Sequence, residues 1–135
     1  MKLVSHPENC TGCRICEAIC SAVKENTINP RKARIHVVTA YPGIVDSPVV
    51  CRQCEEPPCV GVCPVGALNV DQKTKAILVD ANTCIGCELC VNACPYGAVT
   101  IHFYNRKKTA RICDLCHGDP SCVKWCPFAA IELKT

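Results

Sequence analysis

The sequence predicts a small α+β fold in which four cysteine-rich loops are joined by short helices and two-stranded hairpins. Three observations carry this reading. Sixteen cysteines in 135 residues fall into four groups of four. Short apolar stretches flank the groups, and a proline directly follows the last cysteine in three of them. The groups form an internal repeat that organises the chain as a single domain, residues 1–135.

Taken in order, the stretches MKLV, SPVV, KAILVD and TARI precede the four groups. After groups two, three and four come GALNVDQ, GAVTIHF and AAIELK, which alternate as short strands do. Group one is Cys10, Cys13, Cys16 and Cys20, spaced C-x2-C-x2-C-x3-C. Group two is Cys51, Cys54, Cys59 and Cys63, spaced C-x2-C-x4-C-x3-C. Group three, Cys84, Cys87, Cys90 and Cys94, returns to the first spacing, and group four, Cys113, Cys116, Cys122 and Cys126, reads C-x2-C-x5-C-x3-C. A brief helix is expected at the fourth cysteine of each group. Pro64, Pro95 and Pro127 stop it, since proline cannot donate the helical hydrogen bond. Group one has Ser21 there instead, so its helix should continue to about Asn26.

Composition points to metal as the source of rigidity. The hydrophobic fraction of 49% counts cysteine, and only six aromatics are present: Trp125, Phe103, Phe128, Tyr41, Tyr96 and Tyr104. A chain this poor in large side chains needs a substitute for core bulk, and bound metal is the usual one. The metal-free protein is therefore expected to be largely unfolded. Ser5, His6, Pro7 and Glu8 stand where an apolar signal core would sit, so a cytoplasmic location with reduced thiols is expected rather than a secreted disulfide scaffold. No apolar run approaches the roughly 20 residues of a membrane helix.

The spacing selects the metal. Three thiolates at i, i+3 and i+6 form a tripod for three corners of a cube, and the fourth corner is reached from another loop, as in the run C-x2-C-x2-C-x3-C-P. Zinc sites use paired C-x2-C units and would leave the third cysteine and the C-x3-C-P ending unexplained. Cys113-Asp-Leu-Cys116-His117 fits a haem attachment motif, but that would strand Cys122 and Cys126, and Met1 is the sole methionine. The cofactors expected are four [4Fe–4S] clusters on all sixteen cysteines. Each oxidised cluster with four thiolates is a dianion, so the formal charge of +3 would become about −5 when loaded. Nucleic-acid binding is not expected.

The motifs CRQCEEPPCVGVCP (51–64) and CDLCHGDPSCVKWCP (113–127) resemble the four-cluster, sixteen-cysteine ferredoxin-like subunits of molybdenum or tungsten pterin oxidoreductases, carbon monoxide dehydrogenases and some hydrogenases. The resemblance covers residues 8–133. Its compact length and the segment NPRKARIHVV (29–38) are most similar to small subunits of tungsten aldehyde oxidoreductases. Some relatives lose a ligand in group three; here all four are present.

The resemblance implies two nested ferredoxin-like bis-[4Fe–4S] units: an inner one over 51–94, and an outer one combining 1–50 with 95–135. It implies one cluster on Cys51, Cys54, Cys59 and Cys94 and another on Cys84, Cys87, Cys90 and Cys63. In the outer unit Cys10, Cys13, Cys16 and Cys126 would hold one cluster, and Cys113, Cys116, Cys122 and Cys20 the other. The sequence itself also permits sequential pairing, group one with two and three with four. The implied function is electron transfer without catalysis, between a large catalytic oxidoreductase subunit and a ferredoxin or NAD-linked flavoprotein. Head-to-tail self-association is a further expectation, since a heterologous contact can extend without closing. The alternatives are a freestanding polyferredoxin serving several enzymes and a zinc-stabilised interaction module.

Other residues carry weaker expectations. Gly12 and Gly86 would let backbone approach a cluster or simply make tight turns. Arg31-Lys32-Ala33-Arg34 and Arg106-Lys107-Lys108 read as solvated strand edges, with docking of an acidic partner as the rival. Trp125 is expected to pack over a cluster, the four histidines to lie on the surface, and Tyr41-Pro42-Gly43 to form a turn.

Overall fold

Every cysteine group is entered from a strand, and groups two to four are left into another. In the computed structural model, which describes residues 1–40, 45–104 and 106–134, group one is entered from β1 (Lys2–Ser5) and followed by α1 (Ile15–Glu25) and β2 (His36–Ala40). Group two lies between β3 (Val45–Val49) and β4 (Leu68–Val70) and contains α2 (Pro58–Val62). Group three lies between β5 (Ile77–Val79) and β6 (Thr100–Tyr104) with α3 (Leu89–Ala93). Group four lies between β7 (Lys107–Arg111) and β8 (Ile131–Lys134) with α4 (Ser121–Trp125). The fold is mixed α+β, as the alternating apolar stretches predicted. The turn expected at Tyr41-Pro42-Gly43 lies outside the described residues.

Strand pairing nests the chain. β2 pairs with β3, β4 with β5 and β6 with β7, all antiparallel and adjacent in sequence. β1 instead pairs with β8, from Lys2 opposite Lys134 to Ser5 opposite Ile131. This long-range ribbon brings group one beside group four, where α1 packs on α4; α2 packs on α3 within the interior of the sequence.

The helix ends follow the local chemistry. α2, α3 and α4 close at Cys63, Cys94 and Cys126, each in extended conformation because a proline follows. α1 runs on and ends at Asn26, whose φ of 55° is left-handed. Ser21 makes the extension useful. It is fully buried, its Oγ donates to the Ala18 carbonyl at 2.9 Å, and it accepts from Asn29 N at 3.1 Å. The returning chain is thereby fastened to the helix that the missing proline allowed.

Two apolar cores result, and thiols belong to both. One contains Leu68, Ile77, Val99 and Ile112 with Cys51, Cys59, Cys84 and Cys90. The other contains Leu3, Ile35, Val37, Leu115 and Ile131 with Cys16 and Cys122. Cys113 packs against both. Among the described residues no aromatic side chain is buried.

Two local expectations are corrected. Pro30–Lys32 is a 3-10 turn, capped by Asn29 Oδ1 accepting from Arg31 N at 3.1 Å, and not a strand edge. Pro30 and the Asn cap favour that turn, and it sends Ala33 and Ile35 into the interior. His6, His36 and His102 are half-buried; of the four histidines only His117 is exposed. Trp125 is 60% exposed.

Gly12 and Gly86 have φ of 73° and 70°, and neighbouring strands crowd them. A Cβ at Gly12 would lie 2.7 Å from the Asp46 carboxylate, and one at Gly86 would lie 2.6 Å from Lys108 Cβ and 2.7 Å from its carbonyl oxygen. Gln53 and Leu115 hold the same place before the second cysteine of their groups, with φ of 47° and 59°. All four loops therefore share one left-handed residue.

Two stability predictions follow from these contacts. Ser21→Pro should lower the guanidinium midpoint of cluster bleaching by the equivalent of about 3 kcal/mol, and Ser21→Ala by about 1–2 kcal/mol, with helix content by circular dichroism falling mainly in the first. Gly86→Ala should be worse than Gly97→Ala by about 1–3 kcal/mol, because nothing lies within 4 Å of a Cβ at Gly97 although its φ is also left-handed. Equal midpoints for the two alanine variants would contradict the crowding argument.

Candidate metal centres

All sixteen cysteines are free, and the helix packing gathers them. Pairing of α1 with α4 sets Cys126, at the end of α4, against the group-one loop. A cavity with about 300 Å³ of empty space is lined there by Cys10, Cys13, Cys16 and Cys126. Cys20, on the second turn of α1, faces the other way and lines a cavity of about 340 Å³ with Cys113, Cys116 and Cys122. Pairing of α2 with α3 does the same inside the chain. Cys63, at the end of α2, lines a cavity of about 330 Å³ with Cys84, Cys87 and Cys90. Cys51, Cys54, Cys59 and Cys94 also lie together. Charges on Cys59, Cys54 and Cys94 all act on the Cys51 thiol, and those on Cys94 and Cys54 act on Cys59.

The thiols line cavities, and among the described residues no three side chains converge closely enough to hold a single metal ion, which suits a polynuclear core better than one tetrahedral ion. Their protonation points the same way. Burial pushes the Cys16 and Cys122 thiols up to about 12 and Cys51 up to about 11. Burial also drives Cys113 well above the usual thiol range. Buried thiolates of this kind need a cation beside them, and ligation to metal supplies it. Soft thiolates in sets of four fit iron–sulfur cores.

Backbone amides point at several sulfurs. Arg34 N donates to Cys20 Sγ at 3.2 Å, Ala67 N to Cys63 Sγ and Ala130 N to Cys126 Sγ at 3.3 Å, and Gln53 N to Cys51 Sγ and Ala110 N to Cys84 Sγ at 3.4 Å. At Cys63 slight burial raises the thiol, but the amides of Ala67, Val65, Leu68 and Gly66 together bring it below its usual value. Such donors stabilise negative charge on sulfur and so favour a reduced centre.

Charged side chains single out the Cys20 cavity. Lys24 and Arg34 line it. Lys24 Nζ lies 2.7 Å from the Asp114 carboxylate, Arg34 contacts Asp114 at 3.3 Å and Glu25 at 3.7 Å, and Arg111 Nε is 3.0 Å from Glu25. Burial would raise the Asp114 carboxyl, but the Lys24 hydrogen bond and charge, with Cys116 N and Arg34, hold it below the usual range. Near Cys16, Glu17 is 2% exposed yet satisfied, accepting from Arg14 at 3.2 Å and from Val37 N at 3.0 Å.

Sequence reasoning missed Glu17, Asp114, Gln53 and Leu115. Aligning the four groups on their second cysteine would have matched Gln53 and Leu115 to Gly12 and Gly86. Nothing in the pattern marks Glu17 or Asp114, because Val37 N, Lys24 and Arg34 reach them from distant segments. The second cysteines of groups one and three, Cys13 and Cys87, are the two exposed thiols. Among the described residues no helix is long and apolar enough to cross a membrane.

Known proteins share these features. Residues 44–135 match the model of a 4Fe-4S dicluster domain, and residues 7–23 that of a 4Fe-4S binding domain. The polyferredoxin-like subunit of aliphatic sulfonate oxidoreductase from Pyrococcus furiosus is 46% identical over 114 residues, covering 84% of this chain and 64% of that protein. Hydrogenase-4 component A of Escherichia coli is 41% identical over 98 residues, covering 73% of this chain and 46% of that protein. The chain thus spans about half to two thirds of the length of these relatives. A solved structure of the active-site complex BamBC of benzoyl coenzyme A reductase with zinc superposes with a TM-score of 0.52 at 25% identity, covering 98% of this chain and 80% of that one. The matched domains bind [4Fe–4S] clusters, and sixteen cysteines in four groups are ligands enough for four. The chain belongs to the 4Fe-4S dicluster domain family of iron–sulfur proteins.

Proposed function

We propose that this chain is the non-catalytic relay subunit of an oxidoreductase complex, carrying electrons through four [4Fe–4S] clusters between a large catalytic subunit and a second carrier, a ferredoxin or an NAD-linked flavoprotein. One observation carries most of the weight: three separate cavities are each lined by three cysteines of one group and the fourth cysteine of another. The ligand sets of the reading are Cys10, Cys13, Cys16 with Cys126; Cys113, Cys116, Cys122 with Cys20; Cys84, Cys87, Cys90 with Cys63; and Cys51, Cys54, Cys59 with Cys94. They define an inner unit around 51–94 and an outer unit formed by 1–50 and 95–135.

When bound, the clusters supply one-electron redox chemistry. The chain's residues hold and tune them. Amides on Cys20, Cys51, Cys63, Cys84 and Cys126 stabilise charge on sulfur. Lys24 and Arg34, with Asp114 between them, line the Cys20 set and offset part of the charge a cluster would bring there. Exposed Cys13 and Cys87 shorten the path to partners.

The reading extends to a tungsten or molybdenum pterin partner that oxidises aldehydes, on the strength of the sequence motifs, and to a cytoplasmic setting in which thiols stay reduced. Anaerobic pull-down from native cells tests both parts. A large pterin protein is expected to come with the chain, and its metal and substrate decide the narrower assignment. Recovery with several unrelated enzymes would favour a freestanding polyferredoxin. Head-to-tail stacking predicts species of increasing size as concentration rises; a single small species would oppose it.

Ligand pairing has a sharper test. If Cys20 and Cys113 serve one cluster, the Cys20→Ala, Cys113→Ala and double variants should each lose about 4 of about 16 irons. Sequential pairing puts the two residues on different clusters, so the double variant would lose about 8. Iron and acid-labile sulfide analysis, with electron paramagnetic resonance of the remaining centres, separates the two outcomes.

A further inference from the structure

A wide cleft beside group two is built differently from the thiol cavities. It has about 2050 Å³ of empty space open to solvent, and it lies between β1, β3 and the Arg52–Glu55 stretch. Lys2, Arg52, Lys75 and Lys134 line it, against the single carboxylate of Glu55. None of these four cations forms an ion pair among the described residues. Arg52 stacks over the Tyr96 ring at 4.4 Å, which orients its guanidinium without neutralising it. The contrast with Lys24, Arg34 and Arg111 is plain, since those are all held by Glu25 or Asp114.

A buried amide lines the same cleft. Gln53 is 7% exposed, and its Oε1 accepts from Leu3 N at 3.1 Å. Its Nε2 is buried and has no hydrogen-bond partner among the described residues. Leu3 N points toward Gln53 and away from β8, so the unpaired edge of β1 faces the cleft as well. Cys54 is a further lining residue.

We propose that this cleft docks an extended, carboxylate-rich segment of a protein electron partner, which places that partner against the Cys54 side of the chain. The occupant is inferred from charge complementarity: four cations against one carboxylate attract an acidic segment, and β1, paired only with β8 among the described residues, offers its other edge to an extended strand. Docking of this kind accelerates encounter and sets register more than it adds affinity, so it suits a partner that must dissociate after each electron. The inference rests on the relay reading for its purpose, but not for its geometry.

The test uses the anaerobically prepared, iron-loaded chain and a short fluorescein-labelled oligoglutamate peptide. Binding is expected, weakening as salt rises. Lys75→Glu with Lys134→Glu should reduce affinity at least about tenfold. Arg52→Glu, which reverses a charge on the cleft wall, should reduce it too. Lys73→Glu, exposed and outside the cleft, should leave affinity unchanged. Absence of binding, affinity unaffected by either cleft variant, or equal weakening by Lys73→Glu overturns the proposal. Iron content and the visible spectrum, recorded on the same samples, report on the cluster reading separately: a wild-type chain that holds zinc or no metal defeats that reading whatever the peptide does.

Discussion

Sulfur takes the place of hydrocarbon in this molecule. Both apolar cores include cysteine side chains as members, and no described aromatic is buried in either. The buried large aliphatics are few among the described residues, chiefly Leu3, Ile35, Leu68, Ile77, Ile112, Leu115 and Ile131, and at roughly 1.5–3 kcal/mol each they cannot by themselves offset the conformational entropy of ordering such a chain. The groups that hold metal are thus the groups that hold the fold. A thiol raised by burial as far as those of Cys16 and Cys122 is a poor anion alone and a good ligand beside a cation, so folding and metal loading have to occur together.

The same constraint explains how the chain is threaded. Three short helices end on the fourth cysteine of their group, and packing of helices in pairs carries that cysteine toward a different loop. Pairing of β1 with β8 then closes the outermost loops on each other. Each element is too short to be stable in isolation: α2, α3 and α4 have five residues each, well below what an independent helix needs. Contacts between distant segments hold them in place.

Electrostatics divides the molecule into two kinds of basic site. Lys24, Arg34 and Arg111 are half-buried and paired with Glu25 or Asp114, and Lys24 and Arg34 line the Cys20 cavity. Lys2, Arg52, Lys75 and Lys134 line an open cleft and form no ion pair among the described residues. The first set compensates charge that a loaded centre would bring inside; the second offers charge to something outside. A net charge taken from composition treats both alike, which is why it says little about partners.

The repeat of four cysteine groups determined most of what matters locally. It specified where strands enter and leave, that helices two to four stop at Pro64, Pro95 and Pro127, and that Ser21 lets the first helix run to Glu25, because spacing and proline act within a few residues. Side-chain surroundings were beyond its reach. Arg34 was expected on a solvated edge and instead faces Asp114, 80 positions away along the chain; Glu17 is buried against Val37 N, and Gln53 meets Leu3 N. Those contacts depend on β1 meeting β8 and on helices packing across the sequence, and only the tertiary structure decides which distant residues such pairings bring within hydrogen-bonding distance.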